Sequence, residues 1–247
     1  MNFVPRQHMP LRSDYLATSS QMVDLPVPVD LLLTVLDDMP ATSRIKCLIT
    51  GPHANWLAQG MRDCSSPILF TGEFVGQELR TTRFASIEDE RAYSLDDLLI
   101  KPGPKFDLVI SLATSSKFSN ITGFAQIHQT LLNPGGKLVM FDWFTGKIPF
   151  DRPLVPFIDD SFMLRQFRTS ELLSRAMEKA GGSIQKSLNI TASMEHRIGR
   201  VLTAEINPID TSLPLKRIPK PSLLWLFDRA RQGTLRCEWL EFRKSIY

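Results

Sequence analysis

Two short apolar runs, separated by one amphipathic segment, are the clearest pattern along the chain. Residues 106–112 and 138–144 are rich in branched and aromatic side chains and alternate little, which is typical of strands buried on both faces. Between them, apolar residues recur at helical spacing from 121 to 132, and the sequence NPGG at 133–136 ends the helix because proline cannot continue it. The pattern predicts a strand, a helix, a tight turn and a second strand parallel to the first.

Shorter patterns predict further elements on both sides of this unit. Before it, they predict a helix at 31–39, a strand at 45–50 that ends in a turn at Gly51, a helix at 54–62, a strand at 67–73 and a weak strand at 83–87 or 92–95. After it, they predict a helix that Thr169 or Ser170 caps and Gly181 and Gly182 end, a short helix near 223–231 and a final strand at 233–244. Alternating strands and helices favour an α/β fold.

The first 25 residues are polar and interrupted by prolines. We expect them to drape over the domain as an arm that leads into a lid helix, so that residues 1–39 form one unit and residues 40–247 form the main domain. A chain of 247 residues is long enough to bury one large core.

Composition and charge argue against several classes of partner. Hydrophobic residues make up 43% of the chain and charged residues 22%, and 29 basic against 26 acidic side chains give a net charge of +3. No dense Lys/Arg block indicates nucleic acid, and no segment approaches the roughly 18 apolar residues that span a membrane. A homodimer or a protein partner stays open.

The cysteines indicate neither a disulfide framework nor a metal site. Cys47, Cys64 and Cys237 are odd in number and lack metal-ligand spacing, which favours free thiols in a reducing compartment. The amino-terminal residues also lack the uninterrupted apolar core of a signal peptide. We therefore expect a cytoplasmic protein without a bound metal.

Two motifs resemble a known family. FDLVIS at 106–111 and, one helix later, LLNPGGKLVMFD at 131–142 are similar to the fourth and fifth strand motifs of class I S-adenosylmethionine-dependent methyltransferases, in the branch that acts on small molecules and natural products. The resemblance implies a Rossmann-like α/β fold, with a seven-stranded, mostly parallel sheet, helices on both faces and an antiparallel last strand. It also implies that residues 40–247 form the methyltransferase-like domain, in which a helical insertion near 192–231 covers the substrate.

The resemblance implies S-adenosylmethionine as the cofactor, held at the turn after the first strand. The family pattern there is an acidic residue followed by three alternating glycines, and Ile49, Gly51, His53 and Asn55 occupy those four places. Ile49 cannot bond polar groups, and His53 and Asn55 put side chains where a bare backbone approaches the cofactor. Either the cofactor binds in an altered pose, or it is not bound, or the register of this alignment is shifted.

Other cofactor contacts follow from the resemblance. Glu73, with one residue of slippage, matches the carboxylate that accepts hydrogen bonds from the ribose hydroxyls, although it could equally be an exposed loop residue. Asp96 and Asp97 are the candidates for the adenine amine, or they start a short helix. Ser111 opens the loop that lines the cofactor in the family.

Candidate catalytic and substrate-binding residues lie at the same predicted edge of the sheet. His53 and Asp142 are the candidate catalytic residues, and Asp142 could instead cap the turn. Trp143 and Phe144 are predicted to bind substrate because aromatic residues at a strand end suit an apolar pocket. His128 lies inside the predicted helix and is expected to be a surface or packing residue.

Three functions fit this pattern. The first is methyl transfer to a small, mostly apolar metabolite, in which positioning and desolvation supply most of the rate and no obvious base is needed. The second is a methyltransferase-like enzyme that no longer methylates and catalyses a cyclisation or isomerisation. The third is a non-catalytic partner subunit.

Overall fold

The computed structural model describes residues 31–32, 34–35, 45–51, 54–62, 68–75, 77–84, 90–101, 103–115, 118–147, 168–203 and 220–246. Within these ranges the strands are β1 Lys46–Thr50, β2 Ile68–Val75, β3 Glu78–Arg83, β4 Arg91–Ser94, β5 Phe106–Leu112, β6 Leu132–Thr145, β7 Gly182–Asn189 and β8 Leu235–Lys244. The helices are α1 Ala54–Arg62, α2 Leu95–Ile100, α3 Ile121–Leu131, α4 Ser170–Lys179, α5 Thr191–Thr203 and α6 Lys220–Arg231. Leu31, Leu32, Thr34 and Val35 are also helical.

The described strands form one sheet in the order β4-β3-β2-β1-β5-β6-β8-β7. β1 pairs in parallel with β2 and β5, and β5 pairs in parallel with β6. The pairings of β3 and β8 with their neighbours are all antiparallel. Six of the eight described strands run in one direction, which confirms the predicted α/β class and the antiparallel last strand. The sheet that was predicted to be mostly parallel is mixed, because three of its pairings are parallel and four are antiparallel.

The prediction of seven strands was wrong by one, because β2 turns back directly into β3. Only residues 76 and 77 separate the two strands, and a connection of two residues that includes a glycine is typical of a hairpin. β3 and β4 together replace the single weak strand expected at 83–87 or 92–95. Glu73 consequently lies inside β2 rather than just beyond it.

Two hydrophobic clusters cover the two faces of the sheet. One face of the sheet, which we call the α1 face, is covered by α1, α5 and α6, together with Leu32 and Val35. The other face, which we call the α3 face, is covered by α2, α3 and α4. Helices therefore lie on both faces, as expected, and the buried runs of β5 and β6 lie between the two layers.

Helix caps fix the elements that border the carboxyl ends of β5 and β6. Asn120 caps α3 by accepting hydrogen bonds from the amides of Thr122 and Gly123. Thr169 caps α4 by accepting a hydrogen bond from the amide of Leu172, 3.2 Å away, so the first of the two predicted caps is the one used. The segment 133–136, predicted as a turn, is the first part of β6, although Gly135 there has a φ of +73°.

Several expectations concern residues outside the described ranges. The predicted arm at 1–25 lies outside them, as do His53 and Cys64. Cys47 and Cys237 are buried free thiols. None of the described helices is long and apolar enough to cross a bilayer.

Candidate functional site

The predicted site residues follow one edge of the sheet, where the parallel strands end. Thr50 lies opposite Gly72 on one side and Ser111 on the other. Gly51 follows Thr50 and Glu73 follows Gly72, so both lie at the carboxyl edge of the sheet. Open α/β sheets bind ligands at this edge.

Gly51 occupies a position that admits no other residue. Its φ is +102°, and a Cβ there would lie 1.9 Å from the carbonyl oxygen of Leu112 and 2.8 Å from the Cγ2 of Thr114. The glycine therefore lets the turn after β1 pack directly on the chain that leaves β5. The retained glycine has a structural role in closing this edge.

The other described positions of the family pattern serve the fold. Ile49 is fully buried in the cluster on the α1 face and offers no polar atom to a ligand. Asn55 is exposed, whereas Ala54, Leu57 and Ala58 form the buried side of α1. The Asn55 side chain therefore does not lie between α1 and the sheet.

Glu73 presents an exposed carboxylate at this edge. Its register in β2 places it one residue beyond the Thr50–Gly72 pair, beside the Gly51 turn. Strand alternation turns Glu73 toward the α1 face and the next residue, Phe74, toward the α3 face. The Glu73 carboxylate has no hydrogen-bond or ion-pair partner among the described residues.

Asp96 and Asp97 start a short helix, which was the alternative to an adenine contact. Ser94 caps α2 and accepts a hydrogen bond from the Asp97 amide, and the Asp97 carboxylate pairs with Lys101 at 3.1 Å. Both carboxylates are exposed. Because β2 and β3 separate β4 from β1 in the sheet, the structure does not group these two residues with Gly51.

The chain that leaves β5 folds tightly into the protein. Ser111 is still part of β5, is fully buried, and its hydroxyl bonds the hydroxyl of Thr114. Ala113 has a φ of +48°, which is uncommon for a residue with a side chain, and its amide donates to the Phe141 carbonyl at 2.8 Å. This segment forms a packed wall beside Gly51.

Asp142 anchors that wall. Its Oδ2 accepts a hydrogen bond from the Ser115 amide and its Oδ1 accepts one from the Trp143 amide, each at 2.8 Å. Complete burial raises the pKa of Asp142 to about 6, although the hydrogen bonds from Ser115 and Trp143 act in the opposite direction. Both oxygens bond backbone amides, so the observed geometry is that of a cap on the loop.

Arg168 is a second anchor, which sequence reasoning missed. Its guanidinium donates to the carbonyls of Phe118 and Ser119 at 2.7 and 2.6 Å. No sequence pattern marks an arginine before a helix cap as a loop clamp. Arg168 and Asp142 together fix the described residues of the β5–α3 loop, 113–115 and 118–120, from two sides.

Trp143 and Phe144 lie on opposite faces of β6. Trp143 is 3% exposed in the α1-face cluster, and Phe144 is 1% exposed in the α3-face cluster. The structure thus separates the two rings by the thickness of the sheet. Substrate binding by either ring stays a prediction.

His128 is a packing residue in an aromatic cluster. Its ring lies 4.1 Å from that of Phe124 and 5.7 Å from that of Phe74, and its Nδ1 donates to the Phe124 carbonyl at 2.9 Å. Burial lowers the pKa of His128 to about 4. Its Nε2 has no hydrogen-bond partner in the described part of the protein.

Comparison with solved structures identifies the architecture. Geranyl diphosphate C-methyltransferase from Streptomyces coelicolor A3(2), in complex with Mg²⁺, geranyl diphosphate and S-adenosyl-L-homocysteine, is similar over 97% of this chain and 85% of its own, with a TM-score of 0.60 and 12% identity. The chain has the class I methyltransferase fold. The cyclopropane synthase MmaA2 from Mycobacterium tuberculosis is similar over 87% of this chain and 84% of its own, with a TM-score of 0.56 and 11% identity.

The methyltransferase fold also occurs in an enzyme of different chemistry. The [4+2]-cyclase SpnF is similar over 88% of this chain and 82% of its own, with a TM-score of 0.52 and 12% identity. No family model matches the chain, and no curated protein matches it in sequence. The methyltransferase fold is therefore established here by structure, and it leaves the reaction open.

S-adenosylmethionine, the cofactor that the methyltransferase fold implies, can be tested against the residues present. Glu73 presents a carboxylate that has no partner among the described residues and can accept hydrogen bonds from ribose hydroxyls. Ile49 and Ser111 are buried and offer the cofactor no free polar group. The described residues fit the adenosyl end of the cofactor through Glu73.

Proposed function

We propose that this protein transfers a methyl group from S-adenosylmethionine to a small, mostly apolar metabolite. The observation that carries the proposal is the Glu73 carboxylate beside the Gly51 turn of a methyltransferase fold, which is exposed and has no partner among the described residues. A carboxylate is suited to this place because it accepts hydrogen bonds from two neighbouring hydroxyls.

Each residue then has a defined part. Glu73 holds the ribose and the Gly51 turn borders the cofactor, whereas Asp96 and Asp97, at the start of α2, are given no part in binding it. The bound cofactor supplies an electrophilic methyl group. Asp142 acts as a positioning residue, because its two hydrogen bonds keep the loop wall at Ser115 fixed.

The substrate side of the proposal rests on shape. Methyl transfer in line between two bound partners needs orientation and exclusion of water, and no strong base is required. His53 is proposed as a polar group next to the cofactor turn. Trp143 is proposed to shape the substrate wall, and α5 and α6, which lie on the same face of the sheet, to cover the substrate. Phe144 lies on the other face and is given no part in this wall.

Calorimetry with S-adenosylmethionine and S-adenosyl-L-homocysteine tests the proposal. We expect the wild type to bind both, and Glu73→Gln to bind on the order of tenfold more weakly, because one charged acceptor is lost. Glu178→Gln, an exposed residue on α4, is the matched control and is expected to bind like the wild type. A folded wild type that binds neither compound rejects the proposal.

A protein that has the methyltransferase fold but no longer methylates is the second candidate. The burial of Ile49, which leaves the motif without its acidic residue, favours it, and SpnF is a cyclase with this fold. If the wild type binds no cofactor, the double variant His53→Gly and Asn55→Gly tests whether these two side chains are the reason. Restored binding indicates a cofactor site that these two residues have closed, and unchanged behaviour indicates that the loss of the site lies deeper than these two residues.

A further inference from the structure

A concave site lies at the edge of the sheet opposite the proposed cofactor site, where β1, β2 and β5 begin. We call it the basic pocket, and its volume is about 430 Å³. It is lined by Lys46, Ile68, Phe70, Thr81, Arg83, Arg91, Tyr93, Pro104, Lys105 and Phe106. None of these residues belongs to the edge at which the methyl-transfer site is proposed.

The pocket exists because α2 is too short to cover the strands beneath it. α2 has six residues, so it extends about 9 Å. β2 has eight residues and extends about 26 Å. α2 starts at the carboxyl end of β4 and packs on the α3 face, so none of the described helices covers the amino-terminal half of β2 on that face.

Strand register gathers the lining side chains on one face. Phe70 lies opposite Arg83, and Thr81 lies opposite Arg91. Directly opposed residues project to the same side of a sheet. An irregular register in β5 between Phe106 and Leu108 also lets Phe106 join the α3-face cluster.

Among the residues that the structure describes, the lining carries four cationic side chains and no anionic one. Lys105 donates to the carbonyl oxygen of Thr130, which does not neutralise its charge. Lys46, Arg83 and Arg91 have no ion-pair partner among the described residues. The carboxylate of Asp107, next to the lining in sequence, accepts hydrogen bonds from the Lys46 amide and from Asn133. Four like charges around one cavity repel each other, and an anion placed among them relieves that repulsion.

Aromatic side chains form the floor between these charges. The rings of Phe70 and Phe106 meet edge to face with centroids 5.4 Å apart. Tyr93 is half-buried beside them and packs on the same hydrophobic cluster. The pocket therefore offers an apolar surface together with a cationic rim, and each half selects a different part of a ligand.

We propose that the basic pocket binds a small molecule in which a phosphate group is attached to an aromatic or apolar body. The planar guanidinium groups of Arg83 and Arg91 match phosphate oxygens in pairs, and the ammonium groups of Lys46 and Lys105 add point charges. The ring surfaces of Phe70 and Phe106 receive the body. The site is separate from the proposed cofactor edge and does not depend on it.

Binding of 1-naphthyl phosphate, measured by calorimetry on the full chain, tests the proposal. The probe combines both features, whereas 1-naphthol lacks the anion and inorganic phosphate lacks the ring. We expect 1-naphthyl phosphate to bind more tightly than either comparison compound and more weakly as salt increases. Arg83→Gln and Arg91→Gln are each expected to weaken it on the order of tenfold, because a charged hydrogen bond is lost.

Arg80→Gln is the matched control. Arg80 is an exposed arginine on the same strand as Arg83, on the opposite face, and pairs with Glu78 at 3.2 Å. The control removes the same charge, so unchanged binding there supports the pocket. Equal weakening in all three variants, 1-naphthol binding as tightly as its phosphate, or no binding of 1-naphthyl phosphate by the wild type would each overturn the proposal.

Discussion

Gly51 packs so closely on the chain that leaves β5 that even one added methyl group would collide with the backbone there. Gly51→Ala places a Cβ against the Leu112 carbonyl at a positive φ, and we expect it to lower the free energy of unfolding by on the order of 3 kcal/mol. Gly181→Ala is the matched control, since Gly181 also has a positive φ of +93° but nothing within 4 Å of its Cβ position. Urea unfolding of both variants measures the difference.

The control isolates the contact from the backbone strain. Gly181→Ala is expected to cost about 1 kcal/mol, from its left-handed conformation alone. If the two variants lose equal stability, the close approach of Gly51 to β5 is not the reason for the glycine.

The role of a single residue could be predicted from the sequence where it depends on neighbouring residues. It could not be predicted where it depends on a partner that is distant in sequence. Thr169 was found as a cap because a hydroxyl before an apolar helix is a local pattern. The role of Asp142 depends on the amide of Ser115, which is 27 positions away. Arg168 likewise acts on carbonyls about 50 positions away, which no local pattern records.

At the scale of elements, Arg168 is expected to hold the β5–α3 loop. Arg168→Gln removes two charge-assisted hydrogen bonds, to Phe118 and Ser119, so the amides of Ser115 and Phe118 are expected to exchange hydrogen roughly 10- to 100-fold faster. Hydrogen exchange measured by NMR checks this. Arg175→Gln, on the exposed side of α4, is the control, and a loop that exchanges equally in both variants contradicts the clamp.

Buried strands were easier to predict from the sequence than strands with few apolar residues. The runs that became β5 and β6 are short, apolar on both faces and rich in branched or aromatic residues, which favours buried strands. β3 has the sequence ELRTTR, in which only Leu79 is a large apolar residue, so its hydrophobic pattern is too weak to mark a strand. Its pairing with β2 depends on a hairpin rather than on composition.

At the scale of the whole molecule, two buried groups respond oppositely to acid. The pKa of His128 falls from 6.5 to about 4 on folding, so below pH 6.5 the unfolded chain takes up a proton first and stability is lost as the pH falls. The pKa of Asp142 rises from 3.8 to about 6, so the folded protein takes up a proton first and stability is gained between pH 6 and 3.8. Each effect amounts to about 2 kcal/mol at pH 4.5.

Variants of these two residues separate the effects. We expect His128→Phe to lose less stability than the wild type between pH 7 and 4.5, and Asp142→Asn to lose more, each by about 2 kcal/mol. Urea unfolding at both pH values, with each protein compared with itself at pH 7, removes the direct cost of the substitution. Identical pH dependence in all three proteins would mean that neither group titrates as its burial requires.

The fold class was predicted from two matching motifs, whereas the cofactor site was predicted from a pattern in which only one glycine, Gly51, matches. FDLVIS and LLNPGGKLVMFD form the centre of the sheet, and the methyltransferase fold confirms what they predicted. The basic pocket had no sequence signal, because its arginines are brought together only by the β2–β3 and β3–β4 pairings.

The place of β8 in the sheet bears on how the protein is made. β7 pairs only with β8 in this sheet, and β8 separates β7 from β6. During synthesis, β7 therefore leaves the ribosome without a neighbour to join. It stays without a partner until residues 235–244 have also emerged and inserted between β6 and β7, so this end of the sheet can form only when synthesis is nearly finished.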